Sequence, residues 1–539
     1  MDQKQDRPIL PTMAAHSSPS APPGSSFDAA AHTIVLSDVH LCEAEPVDPK
    51  RPLWKRFKQR ELFVDPCFAR FLDYIQTVTD GPIELVFNGD LFDFDSVTAL
   101  PEDPTFPMSW LERRRGLHPE ERKSLWKIQL VLRDHHIWFD ALRAFLLAGN
   151  RLVFVIGNHD LELHWPPVQQ AILDVLDLPD PAGSVRFCEW FYVSNGDTLI
   201  QHGNQFDRYC LCTDPVNPYV QLRSELRVRL PFGNLAERYM LNGMGLFNPY
   251  VEDSFIRSGW EYVVFFYRYI VKTQPLLILT WLWSATMTLF MSLREGFLPA
   301  VKDALHLEER MDDVARRANS TPRVARTLLA LSVHSAIYSP WKIARELWLD
   351  RALLLTLVVA GSFQLFSFFN VFVNLSPWWW ALALAVLMPP FIFYSARVSS
   401  DLDDTERAIH KRLPTVGRAA NVRRVVLGHT HRERHIGIGG VELINTGTWS
   451  SAYKDVECTQ PYGRKCFAWI KPDPAGDARI SELREWKDPG SEVYVPDAPP
   501  RPFLPALELP GILTTGTHRP VELASDADSL PQGGKQLPR

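Results

Sequence analysis

From residue 32 onward, short apolar runs each give way to a polar cluster. His32 to Ser37, Ile83 to Asn88 and Arg151 to Ile156 read as strands, with helical sequence around Pro66 to Thr77. They run into Asp38-Val39-His40, Gly89-Asp90-Leu91-Phe92-Asp93 and Gly157-Asn158-His159-Asp160. Further strands are expected at Ser184 to Val193 and at Thr198 to Gln201, the latter ending in His202-Gly203-Asn204-Gln205-Phe206-Asp207. Residues 208–415 read as helical and partly membranous. Strand sequence then resumes at Arg423 to Leu427, ends in Gly428-His429-Thr430-His431, and continues at Val441 to Asn445 and Lys465 to Ile470. The expectation is one α/β domain in two parts, 31–207 and 416–488, interrupted by a helical insertion.

The middle of that insertion is anomalous in charge. Arg351 to Arg397 encloses 45 residues without a charged side chain, and Lys272 to Arg294 encloses another 21. A bilayer core of ~30 Å needs about 20 helical residues, and Asn374-Leu375-Ser376-Pro377 offers a turn near the middle of the longer run. A membrane hairpin over 352–394 is therefore expected, with Trp378, Trp379 and Trp380 at an interface. A soluble subdomain or an oligomer contact is the alternative. Because polar clusters on both sides of the insertion must meet, the number of crossings has to be even, which leaves 273–293 lying at the interface or packed on protein. Ten Lys/Arg in 294–351 and Arg397 after the hairpin place both flanks on the cytoplasmic side.

Composition narrows the picture further. With 46% apolar residues the chain can bury a large core, while Ser, Pro and Ala dominate residues 1–30 and ten prolines fall in 489–539, so both tails are expected to be disordered. A net charge of −6 argues against nucleic acid as a bulk electrostatic partner. Seven cysteines without CxxC pairing indicate neither a disulfide framework nor a structural zinc site, and a reducing compartment fits. The N-terminus lacks the apolar run of a signal peptide, so the cytoplasmic face of a membrane is the expected location.

Asp38, His40, Asp90, Asn158, His202, His429 and His431 together make a set of carboxylates, imidazoles and one amide at strand ends. Such mixed oxygen and nitrogen donors suit two divalent ions, Mn, Fe or Zn, sharing a bridging carboxylate. Asp38 and His40, or His429 and His431, can serve one site only if the strand has just ended, since within a strand alternate residues are spread ~6.6 Å apart. Asp95 and Asp207 stay open between site and ordinary cap, as does Asp93 in part. His135, His136 and His164 read as surface residues, although His164 is close to the Asn-His-Asp loop.

In order, DxH, GDxxD, GNHD, His-Gly and GHTH resemble the five motifs of the calcineurin-like metallophosphoesterase superfamily over about 250 residues outside the insertion. The resemblance implies an α/β/β/α sandwich with a large helical, partly transmembrane insertion. It also implies that Asp38, His40 and His431 hold the first metal, that Asp90 bridges, and that Asn158, His202 and His429 hold the second. A metal-bridging hydroxide would attack the phosphorus, and His159 would donate to the leaving oxygen. Asp93 and Asp160 would orient ligand groups. Asp-Val-His-Leu, Gly-Asp-Leu-Phe-Asp and Gly-His-Thr-His-Arg are similar to the UDP-diacylglucosamine pyrophosphatases, which act on a membrane lipid. Those enzymes typically carry Arg and Asp where this chain has His159 and Asn204, so the expected substrate is a phosphomonoester, phosphodiester or pyrophosphate, lipid-linked by preference. The other readings are a nuclease or cyclic-nucleotide phosphodiesterase, and a non-catalytic membrane scaffold on the same fold.

Overall fold

Strands His32–Leu36 (β1), Ile83–Asn88 (β2) and Arg151–Val155 (β3) are buried on both faces, which is why they read as near-continuous apolar runs and not as alternating ones. Their side chains alternate between two cores. Ile34 and Leu36, Leu85 and Phe87, and Leu152 and Phe154 enter a core shared with helices. Val35, Val86, Val153 and Val155 point the other way, into a layer shared with Tyr192, Ile200, Val426 and Ile444.

The computed structural model describes residues 30–246, 248–251, 267, 277–301, 307–397, 402–476 and 478–495. The chain is a mixed α/β protein, and all the strands fall within one compact unit that ends at Tyr494. β1, β2, β3 and Val185–Cys188 (β4) run parallel in a seven-stranded sheet. Cys466–Pro472 (β12), Arg479–Lys487 (β13) and Gly490–Val493 (β14) extend it antiparallel beyond β1. The five-stranded sheet is made of Phe191–Ser194 (β5), Thr198–Gln201 (β6), Arg424–Leu427 (β9), Arg434–Ile438 (β10) and Val441–Asn445 (β11), in the order β10-β11-β9-β6-β5. Its outer face packs Val425, Leu427 and Leu443 against Met311, Leu328 and Leu413 of the helices Leu307–Arg317, Pro322–Ala330 and Leu402–Ala420.

The helix Asp65–Val78 shows how sequence specifies its own docking. Pro66 sits in the first turn, where its missing N–H costs nothing, and Phe68, Phe71, Leu72 and Ile75 recur at helical spacing on one buried stripe. Phe68 stacks on Trp138 with ring centroids 3.5 Å apart.

Three expectations need correction. Residues 208–415 are not all helical, because Tyr219–Leu222 (β7) and Glu225–Val228 (β8) form a hairpin. Its strands lie between loops that bond elsewhere, and the apolar alternation is too short to register in a helical block. The first residues of the Pro-rich tail expected from 489 are ordered, since β14 occupies Gly490–Val493; residues 496–539 and 1–29 lie outside the described residues. His135 is no surface residue either. It is buried between the Asp65 carboxylate at 2.9 Å and the Cys42 carbonyl at 2.8 Å. His136 is exposed, and the ring of half-buried His164 bonds the carbonyls of Leu161 and Pro215. All seven cysteines are unpaired.

Within the insertion, Leu349–Phe372 and Trp378–Arg397 are helices joined at the expected turn. The first is long and apolar enough to cross a membrane, and only 6% of its apolar window is buried; the apolar part of the second, Trp378–Tyr394, is shorter. The other uncharged run also enters a helix, Leu277–Phe297, one side of which packs on the body of the protein through Ser284, Ala285, Thr288 and Met291. Residues 273–276 lie outside the described residues.

Phe68→Ala should cost about 3–5 kcal/mol, because it empties a fully buried aromatic site and removes the Trp138 stack. The check is the guanidinium unfolding midpoint of the full-length protein, and an unchanged midpoint would contradict this packing.

Candidate metal centre

Parallel pairing ends β1 and β2 side by side, and their loops are sewn together at once. Asp38 N–H bonds the Gly89 carbonyl at 3.1 Å, and the N–H groups of Val39 and His40 both bond the Asp90 carbonyl at 2.9 Å. Across the interface, Gly428 N–H bonds the His202 carbonyl at 2.8 Å, joining the ends of β6 and β9. His429 N–H reaches both Asp38 carboxylate oxygens at 3.1 Å, tying one sheet to the other. The carboxyl ends of strands from both sheets therefore meet in one place.

The backbone there is held in a sparsely populated region. Asp38, His40, Asp90, His429 and His431 have φ of 56°, 57°, 53°, 67° and 51°, left-handed values that non-glycine residues rarely adopt. Each costs on the order of 1–3 kcal/mol, and such strain gathers at functional sites. It also answers the spacing problem: having left the strand, Asp38 and His40 turn toward one point, as do His429 and His431.

Two glycines make the room. A Cβ on Gly89 would fall on the His202 ring, and one on Gly157 would fall on Asp90 Oδ1. Gly89 also carries φ +79°.

The side chains form two adjoining groups able to hold a metal ion: Asp38, His40 and His431, and Asp90, His202 and His429. Nε2 of His40 and Nε2 of His431 face each other at 3.3 Å, and the latter lies 3.2 Å from Asp38 Oδ1. His431 Nδ1 donates to the Tyr250 carbonyl at 3.2 Å, and His202 Nδ1 donates to the Asn88 carbonyl at 2.9 Å. These bonds fix the tautomers and leave both Nε2 atoms aimed inward, the usual support of a ligand imidazole. His429 reverses the sense, since its Nε2 donates to Asp207 Oδ2 at 3.0 Å and Nδ1 remains for the second group. His202 Nε2 lies 3.0 Å from Asp90 Oδ2 and 3.9 Å from Asp38 Oδ1, so it stands between the groups.

Electrostatics follow from that crowding. Burial opposes ionisation of Asp38 and Asp90, but the His202 charge beside them outweighs it and holds both carboxyls below the usual range. His202 is correspondingly pushed up to about 9, burial being overcome by Asp90 and Asp38. His40 goes the other way, down to about 3, through burial and the neighbouring His159 charge, so it is neutral with lone pairs to offer. A bound cation would take over the role of the His202 proton. Asp160 rises to about 7 because it is buried beside Asp90; its oxygens accept Gly157 N–H at 2.5 Å and Leu91 N–H at 3.0 Å, shaping the loops that carry Asn158 and Asp90.

His159 sits at the rim with its N–H on Asp90 Oδ1 at 2.8 Å. Its Nδ1 lies 3.4 Å from Asp93 and 3.3 Å from Glu237 without the alignment of a hydrogen bond. Burial disfavours the charged ring, yet Glu237, Asp90 and Asp93 together raise its pKa well above the ordinary value. Asp93 is fixed by N–H groups of Asp95 and Ser96 and by Tyr250 Oη at 2.8 Å. Asp95 does not enter the ligand groups around Asp38 and Asp90; it pairs with Arg238 at 2.6 Å.

Sequence reasoning missed Tyr250, Glu237 and Asn234, and left Asp207 open. Tyr250 stacks on His40 at 4.5 Å, and Asn234 donates to the Asn158 carbonyl at 2.7 Å. All three missed residues lie in the block read as helical and membranous, where no local pattern marks them. Asp207 had a signal, closing the same short loop that begins with His202.

The buried atoms of the site fit the implied ions. Among the described residues Asn158 Oδ1 and Nδ2, His40 Nδ1 and His202 Nε2 are buried without a hydrogen-bond partner, a deficit that ligation by the Asn158 oxygen and the His202 nitrogen would relieve. Asp90→Asn and His431→Ala are each expected to lower bound metal in elemental analysis, and Gly157→Ala should do so without touching a ligand, by displacing Asp90. Full metal content in all three would contradict the site.

No family model matches this chain and no curated protein matches it, so the chemistry of the site rests on its geometry.

Proposed function

We propose that the protein is a membrane-associated phosphoesterase with two divalent ions, built on the α/β/β/α sandwich of the calcineurin-like metallophosphoesterases and acting by preference on a lipid-linked phosphate ester or pyrophosphate. One observation carries this reading: two three-residue ligand groups lie side by side at the ends of strands from two packed sheets, with the Asp90 carboxylate and the His202 ring at their junction. The order of layers and the position of the site at the carboxyl ends agree with that fold.

Two ions bound there would supply a hydroxide at neutral pH and neutralise the charge on the phosphoryl oxygens. The chain's own part centres on His159. Asp93 and Glu237 face its Nδ1 and keep the ring protonated, which leaves Nε2 to hand its proton to the leaving oxygen. Tyr250 stacks on His40 and bonds Asp93, so it holds the first ligand and the acid's partner in one rigid unit and shields the site from bulk water. Asn158, whose buried side-chain amide has no hydrogen-bond partner among the described residues, would add its oxygen to the second group.

The lipid preference comes from the hairpin. Twenty-four residues of helix reach ~36 Å, and their apolar side chains are outside the protein, where a soluble core helix would bury them. Tyr394 Oη donates to Asp350 at 2.7 Å and Trp380 Nε1 to Ser362 at 3.0 Å, so two polar contacts tie the pair together.

The protein reconstituted with Mn²⁺ should hydrolyse at least one of a phosphomonoester, a diester, a nucleotide pyrophosphate and a lipid pyrophosphate, and silence on all four with both metals bound would overturn the reading. His159→Ala should keep its metals while turnover falls ~10²–10⁴-fold, less for a nitrophenyl ester whose leaving group needs no proton. Equal losses for every leaving group would remove His159 from the acid role. The full-length chain should also stay with membranes in high salt, since screening weakens surface charge and not the burial of apolar helices. Replacing 352–394 by a Gly/Ser linker should release it with its metals intact; a wild-type chain found soluble without detergent would overturn the membrane assignment.

A further inference from the structure

The helix Leu277–Phe297 is built inside out. Its small and polar residues Ser284, Thr288, Ser292 and Glu295 are buried, and Glu295 pairs with buried Arg227. Leu279, Leu282, Trp283, Phe290 and Phe297 are exposed at 61%, 42%, 51%, 61% and 85%, at helical spacing along the opposite side. Nothing described covers this stripe. At its N-terminal end lies a cleft of about 280 Å³ lined by Trp110, Arg114, Arg115, Leu279 and Trp283. Arg114 lies over the Trp110 ring at 4.7 Å, and Arg115 donates to Ser284 Oγ at 3.4 Å. Among the described residues no carboxylate pairs with Arg113, Arg114 or Arg115.

The geometry points to a binding site for the phosphate headgroup of an anionic phospholipid in this cleft, with the exposed stripe lying along the acyl region beside it. Among the described residues the two guanidinium groups that line the cleft, Arg114 and Arg115, have no carboxylate partner and ask for anionic charge, and a planar guanidinium suits a phosphate. Two tryptophans beside them are the residues that settle at the boundary of headgroup and hydrocarbon. An apolar stripe next to that charge is the signature of a surface that lies in the interface plane. Position agrees. Ala285 and Leu289 of this helix pack with Leu347 and Leu349 at the root of the apolar hairpin, so the cleft lies where a membrane holding the hairpin begins. A second copy is the poorer occupant, because a symmetric contact through this patch would set arginines against arginines.

The cleft is distinct from the metal centre, and the inference shares with the proposed function only the membrane placement. Its test reads lipid binding and not turnover, with metal content only as a control, so it can fail while hydrolysis stands, and the reverse. The full-length protein in uncharged detergent would be titrated with short-chain phosphatidylglycerol, with phosphatidylcholine of the same chains, and with inorganic phosphate, following binding by native mass spectrometry and protection of the amides of 109–116 and 277–290 by hydrogen exchange. Phosphatidylglycerol should bind in preference and protect both segments. At about 5-fold for an arginine removed, Arg114→Ala should weaken that binding about 5-fold and leave metal content unchanged. Leu279→Ser with Trp283→Ser should weaken it without changing charge. Equal binding of the two lipids, equal protection by inorganic phosphate, an unaffected arginine variant, or a dimer that Leu282→Glu dissolves would each overturn the assignment.

Discussion

Two carboxylates that are almost wholly removed from water, Asp38 and Asp90, lie against one histidine where the two sheets meet. Like charges in a low dielectric repel strongly and are each costly to desolvate, so the arrangement persists only if positive charge is brought to them. The rest of the centre follows from that need. His202 stands between the pair, His429 and His431 close the other side, and the loops that deliver them accept left-handed backbone to do so. Even the glycines obey it, since Gly157 is small because Asp90 occupies the space a side chain would take.

Around this centre a second set of groups fixes orientation. Asp207 holds His429, the Asn88 carbonyl holds His202, and the Tyr250 carbonyl holds His431, each on the nitrogen that faces away from the carboxylates. Asn445 bonds the Gly428 carbonyl at 2.8 Å and Thr430 Oγ1 at 3.1 Å, pinning the loop that carries both histidines. Rings restrained in this way present their lone pairs without loss of rotamer freedom at the moment of binding. His159 differs because its Nδ1 faces two carboxylates, Asp93 and Glu237, at 3.4 and 3.3 Å.

The insertion serves both ends of the molecule. Its segment from Asn234 to Tyr250 reaches into the centre, while its later helices present apolar surface outward. The helix Leu277–Phe297 lies between, with its buried side against residues 232–244 and its outer side uncovered among the described residues. The residues 232–244 on which it packs include Glu237, which faces His159.

The strands were legible in the chain because they depend on local signals, apolar runs of strand length with polar clusters where each run stops, and it is those clusters that the fold brings together. The apolar hairpin was legible for the same reason, since 45 uncharged residues are a local property. What the chain alone left undecided was whatever depends on residues far apart in sequence. Asp95 and Asp207 looked equivalent, yet Asp207 bonds a ligand histidine and Asp95 an arginine on a distant helix. His135 looked like surface because nothing nearby in sequence announces the Asp65 carboxylate that the fold sets against it. Tyr250 lies 210 residues beyond the His40 ring on which it stacks. The sequence by itself determined which residues carry groups able to ligate and which segments are long, apolar and uncharged. Only the tertiary structure decided which carboxylate faces which imidazole and which side of each helix is left uncovered, because those choices are made by the docking of two sheets and not by the periodicity of either.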